Sequence, residues 1–241
     1  MKYCACMYIK ICGLTKIDQA QAIAQMGVNA IGFICVSSSP RYITTSAIAQ
    51  ITTSLIPDYP TIDLIGVFLN ASAEEICQTV EQGGLNGVQL HGDESPEFCH
   101  EVRSHLDQLQ PNINSNIKLI KALRVKDQAG LEQAQRYSDV VDVILLDAYD
   151  PQMAGGTGKT IDWQMLRDFR PHCDWWLAGG LSPENVEQAI ALVCPSGLDV
   201  SSGVERSAGD KDLSKVKEFV RKLVRPSPLS PLPKGEKGTK N

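Results

Sequence analysis

Short apolar runs alternate along most of the chain with longer stretches of helical period. Eight runs can be counted, and each ends in small, polar or reactive residues. They lie at 8–13, 30–36, 63–69, 87–92, 117–123, 143–147, 175–180 and 197–202. Strands that alternate with helices pair in parallel through right-handed crossovers. Eight such units therefore predict an α/β fold, a single closed (β/α)8 TIM barrel, whose chemistry lies at the carboxyl ends of the strands.

The stretches between these runs carry the start signals of helices. Ser72 and Glu75 have the spacing of a capping box, in which each side chain satisfies a free amide of the first turn. Two Ser-Pro-Glu sequences, at 95–97 and 182–184, each offer a cap residue, a proline at the first helical position and an acid in the first turn. Each of these three sites is predicted to begin a helix.

The first and last helices are predicted from apolar periodicity. The apolar positions of the first helix, at 16–27, are Ile17, Ala20, Ile23, Ala24 and Met26. Those of the last helix, at 212–224, are Leu213, Val216, Phe219, Val220 and Leu223. A helix that packs one face on a core has this pattern, so we expect both sets to point inward.

Composition fits one domain and limits the class of partner. Barrels of this kind commonly run as one domain near 241 residues, and we place the barrel at 1–224. Residues 225–241, rich in Pro, Ser, Gly and Lys, are predicted to be a disordered tail, with a Pro-rich ligand for a partner as the alternative. A formal net charge of −5 argues against nucleic acid as a partner.

The predicted location is the cytoplasm. No apolar run approaches the ~20 residues that span a bilayer, so no membrane partner is expected. The first seven residues lack the apolar core of a signal peptide. The eight cysteines do not indicate a disulfide framework in a chain of this size and context. Cys35, Cys77 and Cys99 are predicted to be core residues, and Cys4 and Cys6 lack partner ligands for a metal.

Two residues at predicted strand ends could carry acid–base chemistry. Cys12 ends the first strand beside Gly13, where cations or helix ends could lower the pKa of its thiol; a packed core cysteine is the alternative. Asp147 ends the sixth strand after an apolar run, and buried carboxylates are rare unless they are paired or functional. An ion pair with a neighbouring Lys or Arg is its alternative. Across the mouth of a barrel the two could act as base and acid.

Three segments rich in glycine or serine follow strands six, seven and eight, at 155–158, 179–180 and 199–203. Loops in these positions often hold phosphate through exposed backbone N–H groups, whereas plain turns are the alternative. Arg41 follows strand two, where its guanidinium could bind a carboxylate of the substrate; an arginine that caps a turn is the alternative. Gln89 and His91, on strand four, can reach a substrate, although a structural histidine is a fair competitor.

These residues together resemble the phosphoribosylanthranilate isomerases of tryptophan biosynthesis. The resemblance runs in order from about residue 8 to 224. Its motifs are KICGLT (10–15), SPRYI (39–43), GVF (66–68), VQLHG (88–92), LLD (145–147), GGTGKT (155–160), AGGL (178–181) and LDVSSGVE (198–205). The start with Cys-Gly and the end with Asp-Val-Ser-Ser-Gly-Val-Glu are the most specific of these.

The resemblance implies an Amadori rearrangement of N-(5-phosphoribosyl)anthranilate to 1-(carboxyphenylamino)-1-deoxyribulose 5-phosphate. Asp147 would protonate the ribose ring oxygen and open the ring to a Schiff base, and Cys12 would remove the proton from C2′. Arg41 would hold the carboxylate of anthranilate. Gly156, Gly180, Ser201 and Ser202 would surround the phosphate, and Gln89, His91 and Asp199 complete the expected substrate contacts. No metal or organic cofactor is implied, and a monomer and a homodimer are both compatible.

Two alternatives remain at this point. Another phosphate-binding barrel, such as indole-glycerol-phosphate synthase or a pentose-phosphate epimerase, would need catalytic lysines and a glutamate, or metal-binding histidines and carboxylates, at the strand ends. A barrel without catalytic function could bind a metabolite or a partner. The pairing of Cys12 with Asp147 favours an enzyme over that second alternative.

Overall fold

The computed structural model of the chain describes residues 7–109, 116–147 and 163–223. Eight parallel strands close into a barrel in chain order, from β1 to β8, with β8 paired to β1. Their bounds are β1 Tyr8–Cys12, β2 Ala30–Ile34, β3 Asp63–Phe68, β4 Gly87–Leu90, β5 Lys118–Arg124, β6 Val143–Asp147, β7 Asp174–Ala178 and β8 Gly197–Val200. The eight predicted strands and the closed barrel are confirmed.

The helices follow the strands around the outside. They are α1 Ile17–Gln25, α2 Thr45–Leu55, α3 Ala73–Gly83, α4 Pro96–Leu109, α5 Gln128–Gln135, α6 Val186–Val193 and α7 Leu213–Leu223. Short 3-10 helices lie at Trp163–Leu166 and Ser202–Val204. A small antiparallel pair, β9 (Glu205–Ser207) and β10 (Asp210–Lys211), joins β8 to α7. None of the helices in the described part of the chain is long and apolar enough to cross a bilayer.

Two of the three predicted helix starts are confirmed. Ser72 and Glu75 form the capping box at the start of α3, and the Ser95 hydroxyl accepts the Phe98 N–H at the start of α4. The third is wrong by a few residues, because α6 begins at Val186. Its Ser-Pro-Glu sequence forms a turn instead, closed where the side chain of Asn185 accepts the backbone N–H of Ser182.

Two residues predicted to point inward are exposed. Ile17 is 40% exposed and Leu213 36% exposed, and each is the first residue of its helix. The face that α1 buries includes Gln19, whose amide hydrogen-bonds both Asp210 and the backbone of Lys211. Polar anchoring to the β9–β10 pair therefore sets how α1 lies on the barrel, which apolar periodicity alone does not predict.

The barrel interior is closed at its amino end and polar towards the other. Tyr8 stacks on Trp176, with ring centroids 4.4 Å apart, and its hydroxyl donates to Asp63. Lys118 pairs with the same carboxylate and lies 4.6 Å from the centre of the Tyr8 ring. Lys10 is fully buried one layer above. The open end, where the strands have their carboxyl ends, is left for a ligand.

Several sequence predictions fall outside the described residues. The 225–241 tail, the 224/225 boundary, Cys4, Cys6 and Gly156 are among them, and they stay predictions. Of the cysteines predicted to lie in the core, Cys99 is buried, and Cys35 and Cys77 are partly buried against it. The cysteines of the described part of the chain are free thiols.

Candidate active site

A cavity of about 270 Å³ opens at the carboxyl ends of the strands. All of the predicted site residues in the described part of the chain line this cavity, although they come from strands and loops far apart in the sequence. They are Cys12, Arg41, Gln89, His91, Asp147, Gly180, Asp199, Ser201 and Ser202. Parallel pairing brings these residues together, because every strand delivers its last residues to the same rim.

The Cys12 thiol lies against Gly32 of β2. A Cβ atom at Gly32 would lie 2.7 Å from Sγ of Cys12 and 3.1 Å from Nζ of Lys10, so a glycine is required there. Sγ and Nζ are thus neighbours over the same glycine. Burial raises the pKa of the Cys12 thiol, and the positive charges of Lys10 and Lys211 act against that rise.

Lys10 is the buried cation of the site. Its Nζ donates to Oδ1 of Asp199 at 3.1 Å and to Oε1 of Gln89 at 2.8 Å. Burial favours the neutral amine, but the charges of Asp199 and of Cys12 outweigh burial and raise the pKa of Lys10. Lys10 therefore stays an ammonium group at neutral pH. Asp199, predicted to contact substrate, serves at least as the counter-ion of Lys10.

Gln89 and His91 continue this polar chain towards Asp147. The amide nitrogen of Gln89 lies 3.1 Å from Nδ1 of His91. On the other side of the imidazole ring, Nε2 lies 3.5 Å from Oδ2 of Asp147. His91 thus stands between strand β4 and strand β6, with Asp147 within its reach. The side chains of His91 and Asp147 are both partly exposed to the cavity.

Arg41 reaches into the cavity from the loop after β2. Its Nε and Nη2 atoms donate to the carboxylate of Glu205, at 3.0 and 2.6 Å. Lys211, fully buried, binds the same carboxylate at 2.7 Å. Burial acts to raise the pKa of Glu205, but hydrogen bonds from Arg41 and Lys211 outweigh it and hold that pKa below its ordinary value. Two cations and one carboxylate leave one positive charge in surplus.

The loops after β7 and β8 form the glycine- and serine-rich wall. Gly179 and Gly180 have positive φ, which glycine adopts without strain. A Cβ at Gly203 would meet the Leu181 carbonyl at 1.9 Å, so these two loops touch. The hydroxyl of Ser201 donates to the Cys12 carbonyl at 3.0 Å. The wall is therefore tied directly to the strand that carries the thiol.

Sequence reasoning missed Lys10, Glu205 and Lys211. The signals for the first two lay within the quoted motifs, where Lys10 opens KICGLT and Glu205 closes LDVSSGVE. Lys10 pairs with Asp199 on β8, and Glu205 pairs with Arg41 in the loop after β2, so both pairs join residues far apart in the sequence that no local spacing predicts. Within the described residues, no cluster of three or more histidines, cysteines or acids could hold a metal ion.

A parallel barrel with a thiol, a carboxyl group and glycine-rich loops at one mouth is typical of barrel enzymes that act on phosphorylated substrates. Comparison with known proteins narrows the class. The family model described as N-(5'-phosphoribosyl)anthranilate (PRA) isomerase matches residues 9–222. The chain belongs to this family.

Relatives and solved structures agree. The N-(5'-phosphoribosyl)anthranilate isomerase of Nostoc punctiforme is 51% identical over 217 residues, which cover 90% of this chain and 98% of the relative. The crystal structure of phosphoribosyl anthranilate isomerase from Thermotoga maritima is 36% identical, with a TM-score of 0.79, over 90% of this chain and 98% of that one. Another solved isomerase, with a TM-score of 0.75 and 34% identity over the same shares, holds reduced 1-(O-carboxyphenylamino)-1-deoxyribulose 5-phosphate.

Proposed function

We propose that Cys12 and Asp147 carry out the proton transfers of the isomerisation of N-(5'-phosphoribosyl)anthranilate, the step of tryptophan biosynthesis that family membership assigns to this chain. The observation that carries the proposal is that both side chains, from β1 and β6, line one cavity at the carboxyl ends of the strands. An isomerisation that moves a proton needs one group to give a proton and another to take one.

In the proposed reaction Asp147 gives its proton to the ribose ring oxygen. The bond between C1′ and that oxygen breaks, and the anthranilate nitrogen supplies the electron pair that forms a Schiff base. The Cys12 thiolate then removes the proton from C2′, which leaves an enolamine. As C1′ gains a proton, the 2′-hydroxyl of the enolamine loses its own, which gives the 2′-ketone of the product. No electrons enter or leave, so the reaction requires no oxidant or reductant.

The environment of Cys12 supports the role of base. A base must be deprotonated before the transfer, and burial alone would keep the thiol protonated. The buried ammonium group of Lys10 stands beside it and favours the thiolate. A thiolate held in this way can accept a proton without forming a covalent bond to the substrate.

The two charged ends of the substrate have separate proposed sites. Arg41 takes the carboxylate of the anthranilate ring through its outer edge, because Glu205 occupies the Nε side of the guanidinium. The backbone N–H groups around Gly180, Ser201 and Ser202 take the phosphate, together with Gly156, which lies outside the described residues. The surplus positive charge of Arg41, Glu205 and Lys211 favours a dianionic or trianionic ligand.

The test is conversion of the fluorescent substrate by the purified full-length chain. The wild-type chain is expected to consume it. Cys12→Ala and Asp147→Asn are each expected to lower kcat by ~10²-fold or more, the range for acid–base groups, while substrate still binds. Near-normal turnover in either variant, or a covalent adduct between Cys12 and the substrate, would contradict the assigned role. The cytoplasmic location stays a prediction.

A further inference from the structure

The orientation of the Gln89 amide is fixed by the buried lysine below it. An ammonium group has hydrogen-bond donors and no acceptor, so only the oxygen of an amide can face it. Nζ of Lys10 lies 2.8 Å from Oε1 of Gln89, and both residues are almost wholly buried. The Gln89 amide therefore cannot be flipped without placing two donors against each other.

This orientation in turn fixes the hydrogen of His91. With its oxygen on Lys10, Gln89 presents its nitrogen to Nδ1 of His91 at 3.1 Å. An amide nitrogen only donates, so Nδ1 must accept and carries no hydrogen. The neutral imidazole then has its hydrogen on Nε2, the atom that lies 3.5 Å from Oδ2 of Asp147.

We propose that Lys10 and Gln89 hold His91 as the neutral tautomer with hydrogen on Nε2, which makes His91 a positioning donor for the carboxyl group of Asp147. The inference rests on the proposed role of Asp147 as the proton donor. At 3.5 Å the two atoms are farther apart than in an ordinary hydrogen bond, and we expect substrate binding to bring them closer.

The neutral form of His91 matters because Asp147 must hold a proton before it can donate one. A charged imidazolium beside the carboxyl group would favour the carboxylate and deprive Asp147 of that proton. A neutral N–H donor places no positive charge beside Asp147, and its hydrogen bond strengthens as negative charge develops on Oδ2 during transfer. The Nε2–H tautomer of His91 therefore stabilises the Asp147 carboxylate that forms during the transfer more than the neutral acid that precedes it.

The charges around His91 come from several strands. Asp147 lies on β6, Lys10 on β1 and Asp199 on β8, and Arg41 lies in the loop after β2. The two acids could favour a charged His91, and the two cations oppose it. Gln89 is the contact that decides between the two states, because an imidazolium needs a hydrogen on Nδ1, where the amide nitrogen already donates.

The test is nitrogen NMR of the histidine side chains in the full-length chain. The protein has four histidines, and His91→Asn identifies the signals of His91 by their loss. We expect the neutral imidazole of His91 to carry its hydrogen on Nε2 and none on Nδ1. A hydrogen on Nδ1, or an imidazolium at neutral pH, would overturn the proposal.

Two variants of Gln89 test its part. Gln89→Glu replaces the donor with an acceptor, so Nδ1 of His91 should gain a hydrogen, and kcat should fall roughly tenfold, the effect of one hydrogen bond to a charged group, with a smaller change in KM. Gln89→Leu should let both tautomers appear. Gln19→Leu removes an equally buried amide away from the site and should leave the His91 signals unchanged. An unaltered His91 spectrum in Gln89→Glu would contradict the proposal.

Failure of this inference can be told apart from failure of the proposed function. If Asp147→Asn is inactive but His91 carries its hydrogen on Nδ1, only the role of His91 is wrong. If Asp147→Asn is active, the donor is misassigned and the inference fails with it, whatever tautomer is found. The spectrum of the wild-type chain decides the tautomer even where a Gln89 variant does not fold.

Discussion

Arg41, after β2, and Glu205, after β8, form a side-on ion pair at the mouth of the barrel, although 164 positions separate them in the sequence. The carboxylate holds the guanidinium by Nε and Nη2, and among the described residues Nη1 makes no bond. The outer edge of the guanidinium is thereby left for a ligand. Glu205 also holds Lys211, which reaches the carbonyl and hydroxyl oxygens of Ser201. One carboxylate thus links the proposed carboxylate site to the proposed phosphate wall.

Glu205→Gln is therefore expected to weaken substrate binding more than it slows the chemical step. The amide has one accepting oxygen where the carboxylate has two, and its NH2 group places a donor against one of the two cations, so Arg41 loses its fixed orientation. We expect KM to rise about tenfold, since a hydrogen bond to a charged group contributes ~1.5–3 kcal/mol. Steady-state kinetics measure the split between KM and kcat.

Asp210→Asn is the matched control for this change. Asp210 lies in the same two-stranded sheet and also binds two cations, Lys16 and Arg206, but it does not line the cavity. Its substitution should leave KM unchanged. An equal rise of KM in both variants would mean that the β9–β10 pair, and not the orientation of Arg41, sets substrate affinity.

Arg41 itself should discriminate for the carboxylate of the substrate. Arg41→Lys can offer only a point charge and Arg41→Ala offers none, so binding should weaken in that order, by ~1.5–3 kcal/mol for the alanine variant. The comparison uses a substrate made from aniline, which lacks the carboxylate. The wild-type chain should bind it less tightly, and Arg41→Ala should lose little more. If Arg41→Ala and the wild-type chain discriminate equally between the two substrates, Arg41 does not contact the substrate carboxylate.

The barrel could be predicted from the sequence because each strand has a recognisable local pattern of apolar residues. The run at 143–147, for example, is apolar up to Asp147, and the structure has a strand with those bounds. The polar network was not predictable in this way. Lys10 and Asp199 pair from opposite ends of the chain, and a lysine within a strand motif gives no sign that it will be fully buried. Such a pair forms only when the barrel closes and brings the first and last strands together. No spacing of residues along the sequence reveals it.

The activity of the chain should depend on pH through the Cys12 thiol. Burial raises the pKa of that thiol, so kcat/KM should increase with pH as the thiolate forms. Lys10→Met removes one of the two cations that oppose this rise in the pKa, and the acid limb of the profile should then move to higher pH. Lys118→Met, which removes the other lysine inside the barrel, at its amino end, should leave that limb in place. If the acid limb moves equally in both variants, Lys10 has no specific effect on the pKa of the Cys12 thiol.

The loop that follows β4 is held by a buried ion pair, and loss of that pair should destabilise the fold. Glu94 binds Lys121 at 2.8 Å and accepts the N–H groups of Asn70 and Gly92, next to His91. Burial acts to raise the pKa of Glu94, but these bonds outweigh it and hold the pKa below its ordinary value. The carboxylate therefore stabilises the fold above the unfolded pKa, and that contribution is lost as pH falls through the folded one.

Glu94→Gln leaves Lys121 buried without a counter-ion, which should cost ~3–5 kcal/mol and lower Tm by about 6–20 °C for a chain of this size. Glu97→Gln, three residues on and exposed, should change Tm little. Denaturation across a pH series supplies the sharper check. The gap in unfolding free energy between wild type and Glu94→Gln should narrow as pH falls, because protonation of Glu94 removes from the wild type the same charge that the substitution removes. A gap that stays constant down to pH values well below the ordinary glutamate range, about 4.3, would show that the loop is held by packing and not by this charge.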